Sequence, residues 1–250
     1  MTSVQINNAN VLIPIYDSHA LRLIRLPSLR RAKVGTSTIS HSGSVIQMHA
    51  LKDFSLNLSE SESVSVIGHN GAGKTTLLRL IAGIYPPSSG SLHVSGRVVA
   101  LLNNSVGLIL DATGYENIEL TATLNDWPPE NLPEYIRDVE AFTELGEYLS
   151  LPTRVYSAGM RARLALALAT IESPDILLID EGINAGDADF QEKAKVRVRE
   201  FVSRAKIVLL ATHSQELSRA LCSRALLLSK GAKIFFGDID EAFARYAQLR

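Results

Sequence analysis

One run of eight residues constrains this chain more than any other: Gly68-His69-Asn70-Gly71-Ala72-Gly73-Lys74-Thr75. It fits G-x-x-x-x-G-K-[ST] in full. Before it stands Val64-Ser65-Val66-Ile67, a short β-branched strand signal, and after it Leu77, Leu78, Leu80 and Ile81 recur at helical spacing until Gly83 and Pro86-Pro87 stop the helix predicted over Thr75 to Ala82. Glycines let backbone N–H groups face a common centre without Cβ clashes, and the helix N-terminus adds positive potential. Such a loop suits a nucleotide phosphate chain. Lys74 is spaced to reach the β- and γ-phosphates of ATP and the Thr75 hydroxyl to ligate Mg²⁺, with Gly68, His69, Asn70, Gly71, Ala72, Gly73 and Thr76 forming the rest of the cradle. Strand, loop and helix in that order imply an α/β architecture.

The second half of the chain supplies what such a loop needs. Ile176 to Ile179, Ile207 to Ala211 and Ala225 to Leu228 are fully apolar runs, the pattern of parallel strands buried on both faces. The first ends in Asp180-Glu181. In phosphate-loop NTPases an Asp at this place holds Mg²⁺, usually through water. Glu181 then stands where a general base polarises the attacking water, a role worth about 10²–10⁴-fold. His213 ends another expected strand, Leu209 to His213, with its imidazole directed to the γ-phosphate. Taken singly, two acids or a histidine at a strand end also read as structural. In the order loop, acidic strand and histidine they read as an ATPase.

Balance of charge excludes other classes. Lys plus Arg total 25 against 26 for Asp plus Glu, so no basic field draws in nucleic acid or anionic lipid. The single cysteine, Cys222, excludes an internal disulfide and, with no N-terminal signal pattern, favours a reducing, cytoplasmic compartment. Every apolar run is far shorter than the roughly 20 residues that span a bilayer, so attachment to a membrane must come through a partner.

The organisation read from pattern is one domain over 1–250 with two parts. An edge strand is expected around Val11 to Tyr16, and a basic, Ser-rich stretch from Arg22 through Ser44 shows no period. Leu51-Lys52-Asp53-Phe54-Ser55-Leu56-Asn57-Leu58 alternates as a half-buried strand. From about Asn104 to Thr170 the pattern turns helical, ending in a helix over Met160 to Thr170. The expectation is a mixed-sheet core over about 1–103 and 171–250, an N-terminal antiparallel β part, and an inserted helical subdomain over about 104–170.

Between the phosphate loop and the acidic strand lies Tyr156-Ser157-Ala158-Gly159-Met160, followed by Arg161-Ala162-Arg163-Leu164-Ala165-Leu166-Ala167. This segment resembles the ABC signature Leu-Ser-Gly-Gly-Gln, and the chain is identified as a member of the ABC family of phosphate-loop NTPases. The resemblance implies that Ser157 and the Gly159 N–H, at a helix start whose dipole favours anions, close on the γ-phosphate of ATP held by an opposite subunit. It implies a head-to-tail homodimer with two ATP molecules, so a lone chain is an incomplete enzyme.

A narrower similarity is to ATP-binding subunits of polysaccharide exporters. It is carried by Leu12-Ile13-Pro14-Ile15-Tyr16, Ala50-Leu51-Lys52-Asp53, Thr113-Gly114-Tyr115-Glu116-Asn117-Ile118, the Tyr-Ser-x-Gly-Met form of the signature, and Gly186-Asp187-Ala188-Asp189-Phe190-Gln191. It implies an integral-membrane permease as partner, a lipid-linked polysaccharide of O-antigen type met only through that permease, and a peripheral place on the cytoplasmic face of the bacterial inner membrane. Teichoic acid or galactan exporters share the pattern. A non-transport ABC ATPase and a scaffold of low turnover are the rival readings. No C-terminal carbohydrate-binding domain is expected after Lys233-Ile234-Phe235-Phe236-Gly237.

Some positions depart from the family. Asn103-Asn104 stand where a glutamine follows the strand Val98 to Leu102, Ala158 and Met160 replace glycine and glutamine in the signature, and Gly182 replaces a proline. For Tyr16 two readings stay open, stacking on adenine or packing on its strand.

Overall fold

The alternation at Leu51 to Leu58 marks the second half of a long strand, and that strand organises the first of two sheets. In the computed structural model, residues 1–15, 33–34, 37–42, 45–102, 107–180 and 188–249 are described. The strands are β1 Ser3–Ile15, β2 Lys33–Val34, β3 Ser37–Ser42, β4 Val45–Ser59, β5 Glu62–Ile67, β6 Ser89–Ser95, β7 Val98–Leu101, β8 Ile176–Asp180, β9 Ile207–Ala211, β10 Arg224–Ser229 and β11 Ala232–Gly237. The helices are α1 Lys74–Ile81, α2 Gly114–Leu124, α3 Leu132–Thr143, α4 Ala158–Ala169, α5 Ala188–Arg204, α6 Gln215–Leu221 and α7 Ile239–Gln248.

The first sheet has five strands in the order β2-β3-β4-β1-β6, with antiparallel pairing throughout. Leu51, Phe54, Leu56 and Leu58 of β4 and Val4, Ile6, Ala9 and Val11 of β1 are buried. The edge strand expected at Val11 to Tyr16 is thus only the end of β1. Its first half lies between β4 and β6, which rules out an edge position there, while Leu12–Ile15 pairs with β4 and β6 pairs no further than Asn10. The reason is a bulge: Asn8 has φ 47°, which breaks the alternation and with it the signal for a longer strand.

The second sheet has six strands in the order β11-β10-β5-β9-β8-β7. β10, β5, β9 and β8 run parallel, as the three apolar runs require, and β11 is antiparallel to β10. Val66 stands opposite Ala211, and Ala211 opposite Asp180, so the carboxyl ends of the three central strands lie level. In open α/β sheets that edge is where ligands bind.

The chain divides into two compact units, one built on the sheets with α1, α6 and α7, the other on α2 to α5. The second unit has its own core of Ile118, Val139, Leu149, Leu164 and Ala167, all fully buried. Phe142 of α3 meets Phe190 of α5 edge-on at 5.1 Å, and Arg197 of α5 pairs bidentately with Asp138 of α3. These contacts bind α5 to the helical unit although it follows β8 in sequence. The helix expected over Met160 to Thr170 starts two residues earlier, because the Ser157 hydroxyl accepts the Met160 N–H at 3.2 Å and caps it.

Asp175 ties together the strand entries opposite the ligand edge. Its carboxylate accepts the Arg97 N–H at 2.9 Å and pairs with Lys206 at 2.7 Å. The Arg97 amide, then Lys206, hold this carboxyl below its ordinary range. A depressed folded pKa means stabilisation that is present above the unfolded value of about 3.9 and lost as pH falls through the lower folded value. Asp175→Asn should therefore cost about 1–2 kcal/mol at neutral pH, read by urea unfolding, and the difference from wild type should shrink as the medium is acidified below about pH 4.

Candidate active site

β5 delivers the phosphate loop to the level edge of the second sheet. Val64, Val66 and Ile67 are buried, and Gly68 then turns directly across β10 with φ 150°. A Cβ at Gly68 would stand 2.4 Å from the Leu228 carbonyl oxygen. At the other end Gly73 has φ 111°, and a Cβ there would stand 2.9 Å from the Ala50 carbonyl oxygen of β4. The loop is held from outside as well, since Gly231 N–H donates to the Ala72 carbonyl and Lys52 N–H to the Gly231 carbonyl, each at 2.9 Å.

Gly73 is the N-cap of α1 and brings no capping side chain, and the first turn of α1 contains no acidic residue. By contrast Thr113, Ser157, Ser214 and Asp238 cap α2, α4, α6 and α7 through their own side chains. The amide dipoles at the start of α1 are therefore not offset by a local oxygen, the condition for holding an anion. Lys74 folds back over the loop, donating to the Gly68 carbonyl at 2.7 Å and the His69 carbonyl at 3.3 Å.

A cleft of about 650 Å³ opens on this loop, lined by Asn70, Gly71, Gly73, Lys74, Thr75, Thr76, Asp180 and His213 together with Met48 and Ala50. Within it the Thr75 hydroxyl donates to the Asp180 carboxylate at 2.7 Å, joining residues 105 positions apart. A hydroxyl and a carboxylate side by side are hard oxygen donors, the set that suits Mg²⁺ rather than a thiophilic metal. Among the described residues no group of three or more His, Cys, Asp or Glu stands ready to hold a metal. A cation here fits the Mg²⁺ pattern of few protein ligands completed by water and substrate phosphates.

The structure gathers most of the residues singled out from sequence, but not all in the same role. Gly68 and Ala72 are buried beneath the loop rather than in its lining, and His69 turns its ring away to Tyr246, with centroids 4.9 Å apart. His213 faces the cleft, but from a turn and not from a strand. β9 stops at Ala211 because the buried Thr212 hydroxyl accepts the Ser214 N–H at 3.1 Å and Ser214 starts α6. Ser157 and Gly159 belong to the helical unit, whereas the residues lining the cleft belong to the sheet unit. Glu181, Tyr16, Asn103, Asn104 and Gly182 lie outside the described residues, as does the stretch Arg22 to Ser44 apart from the two short strands β2 and β3.

Met48 and Ala50 are lining residues that the motifs do not reveal. Their signal is the two-residue period of β4, which puts both on one face with His49 on the other. It becomes readable only once β4 is known to pass beside the loop.

Residues 51–184 match the family model described as ABC transporter. The O-antigen export system ATP-binding protein RfbE of Yersinia enterocolitica is 41% identical over 231 residues, covering 92% of this chain and 96% of that protein. The teichoic acids export ATP-binding protein TagH of Shouchella clausii is 34% identical over 79% of this chain, and the O-antigen export system ATP-binding protein RfbB of Myxococcus xanthus 37% over 80%. This chain spans about half the length of those two, 55% and 46%. Among solved structures, an ATP-binding cassette in a dimeric post-hydrolysis state with ADP and Pi superposes with a TM-score of 0.66 at 21% identity, covering 94% of this chain and 98% of that one. The ATP-binding subunit of an ABC transporter superposes with a TM-score of 0.68 at 19% identity, covering 98% and 93%. At these identities the two establish the fold.

The close approach at Gly73 gives a direct test of the loop. Gly73→Ala forces a side chain into left-handed backbone, at about 1–3 kcal/mol, and against the Ala50 carbonyl. Affinity for a fluorescent ATP analogue should fall at least about tenfold while the far-ultraviolet circular dichroism stays unchanged.

Proposed function

This chain belongs to the ABC transporter family, and from that premise we propose that it is the ATP-hydrolysing subunit of an exporter of a lipid-linked cell-surface polysaccharide of O-antigen type. The observation that carries the ATPase part is the Thr75–Asp180 hydrogen bond, which joins the loop helix and the acidic strand at one point of the cleft. The cargo part rests on the relatives named for O-antigen export, one of them matched over nearly its whole length. TagH, named for teichoic acid export, supports a second reading in which the cargo is a teichoic acid.

In this reading Lys74 and the N–H groups at the start of α1 bind the ATP phosphates. Thr75 and Asp180 hold Mg²⁺, which when bound neutralises charge developing on the transferred phosphoryl group. Glu181 orients the attacking water and accepts its proton, and His213 donates to the γ-phosphate from its turn at the cleft. Met48 and Ala50 offer the cleft an apolar wall toward the nucleoside side.

The unit of function is a pair of chains. Ser157 and Ala158 are exposed at the start of α4 while Leu164 to Leu168 are buried, so the capped end of this helix is presented outward. In a head-to-tail homodimer that end meets the γ-phosphate in the partner's cleft, and each site is completed by the other copy. The same relatives support an integral-membrane permease as the second partner. No described helix is long and apolar enough to cross a membrane. In this reading the permease holds the chain at the cytoplasmic face of the inner membrane.

Glu181→Gln removes the proton acceptor and keeps the size of the side chain. Hydrolysis should fall by at least about 10²-fold while ATP binding persists, and the ATP-loaded variant should sediment as a dimer. Undiminished phosphate release would exclude Glu181 from this role. Turnover measured with and without the permease in the same membrane preparation separates a transport ATPase from a low-turnover scaffold.

A further inference from the structure

His69 is the one loop residue whose side chain leaves the cleft for a ring contact elsewhere, although its backbone sits at the centre of the loop's own hydrogen bonding. Its carbonyl accepts the Ala72 N–H at 3.0 Å and the Lys74 ammonium at 3.3 Å. Where His69 stands therefore determines both the turn and the starting position of Lys74. Its ring rests on Tyr246 of α7 at 4.9 Å and 51°. Tyr246 is 8% exposed, and Phe243 meets it edge-on at 6.5 Å.

The helix that carries Tyr246 is fixed along its length. Asp238 caps it by accepting the Glu241 N–H at 2.9 Å, and Ile239 and Ala242 are buried. Arg245 pairs with Glu241 at 2.6 Å and lies over the Phe235 ring of β11 at 4.4 Å. Asp240 holds α6, taking Arg219 at 2.7 Å and Gln215 at 3.2 Å. Because α6 begins at Ser214, directly after His213, α7 braces both the phosphate loop and the segment that presents the histidine.

We infer that Tyr246 is a positioning residue for nucleotide binding, which acts through the His69 ring to set the loop corner that aims Lys74. The inference rests on the reading of Gly68 to Thr75 as the ATP loop, and it extends that site to a C-terminal helix that none of the nucleotide motifs includes. An aromatic pair of this kind is strong enough for its loss to shift affinity several-fold.

A double-mutant cycle on the full chain tests it, reading the dissociation constant for a fluorescent ATP analogue. His69→Ala and Tyr246→Ala should each weaken binding roughly three- to tenfold, the double variant should be no weaker than either single, and Tyr246→Phe should bind like wild type. Should Tyr246→Ala fail to fold, Tyr246→Leu, which keeps most of the volume without the ring, takes its place in the cycle. Single-variant effects that multiply in the double variant, or affinities that stay at the wild-type value while the melting temperature drops, would overturn the inference and mark the pair as packing. A wild-type chain that fails to bind the analogue would overturn the nucleotide reading itself.

Discussion

No side chain fits at Gly68 or Gly73, where the phosphate loop passes the strands beside it, and much of the sheet unit follows from that constraint. Gly68 passes the Leu228 carbonyl, and Gly73 and Gly231 both crowd the Ala50 carbonyl, so one backbone oxygen of β4 bears on the loop and on the β10–β11 turn at once. For this to hold, the antiparallel sheet must bring β4 against the end of β5, and β10 must be the parallel neighbour of β5 on the side away from β9. The same arrangement leaves β9 and β8 to bring His213 and Asp180 to the level edge. Chemistry at the cleft thus depends on backbone packing several residues away from any group that would touch substrate.

The two units answer to different requirements. In the sheet unit the polar groups of the site are anchored within the site itself: Lys74 lies on backbone carbonyls of its own loop, and the Thr75 hydroxyl on the side-chain carboxylate of Asp180 at a strand end. The helical unit is held by side chains, with Phe142, Phe190, Arg163 and Arg197 stacked between α3, α4 and α5. Its exposed helix start at Ser157 is the part proposed to act on another copy. Substitutions of signature residues at Ala158 and Met160 leave the cap intact, since the backbone N–H of residue 160 is what Ser157 accepts.

Much of this was legible in the sequence wherever a requirement is local. The glycine pattern and the apolar runs of the parallel strands each depend on residues adjacent in the chain, whereas α4 starts two residues before the expected Met160. β1 was harder, because a bulge at Asn8, with φ 47°, interrupts the two-residue period from which strand length is read. His213 lines the cleft, but from beyond the strand end expected for it, because a serine that caps the next helix competes with strand continuation and the apolar run alone does not reveal which wins. Met48 and Tyr246 carry no motif, and the segment that includes Ala50 gives no sign of a place in the cleft. Their relevance comes from which strands and helices pass beside the loop, a tertiary fact that no local pattern contains.

The exposure of Ser157 also has a kinetic meaning. On the proposed pairing, specific activity is not a constant of the chain. In dilute solution hydrolysis is second order in protein, rising with the square of concentration until pairing saturates. Beneath a permease that seats two copies side by side, the effective concentration is set by the membrane complex instead, reaching the millimolar range typical of short tethers. Free copies then consume little ATP, and energy use follows the number of assembled transporters rather than the amount of this chain in the cell.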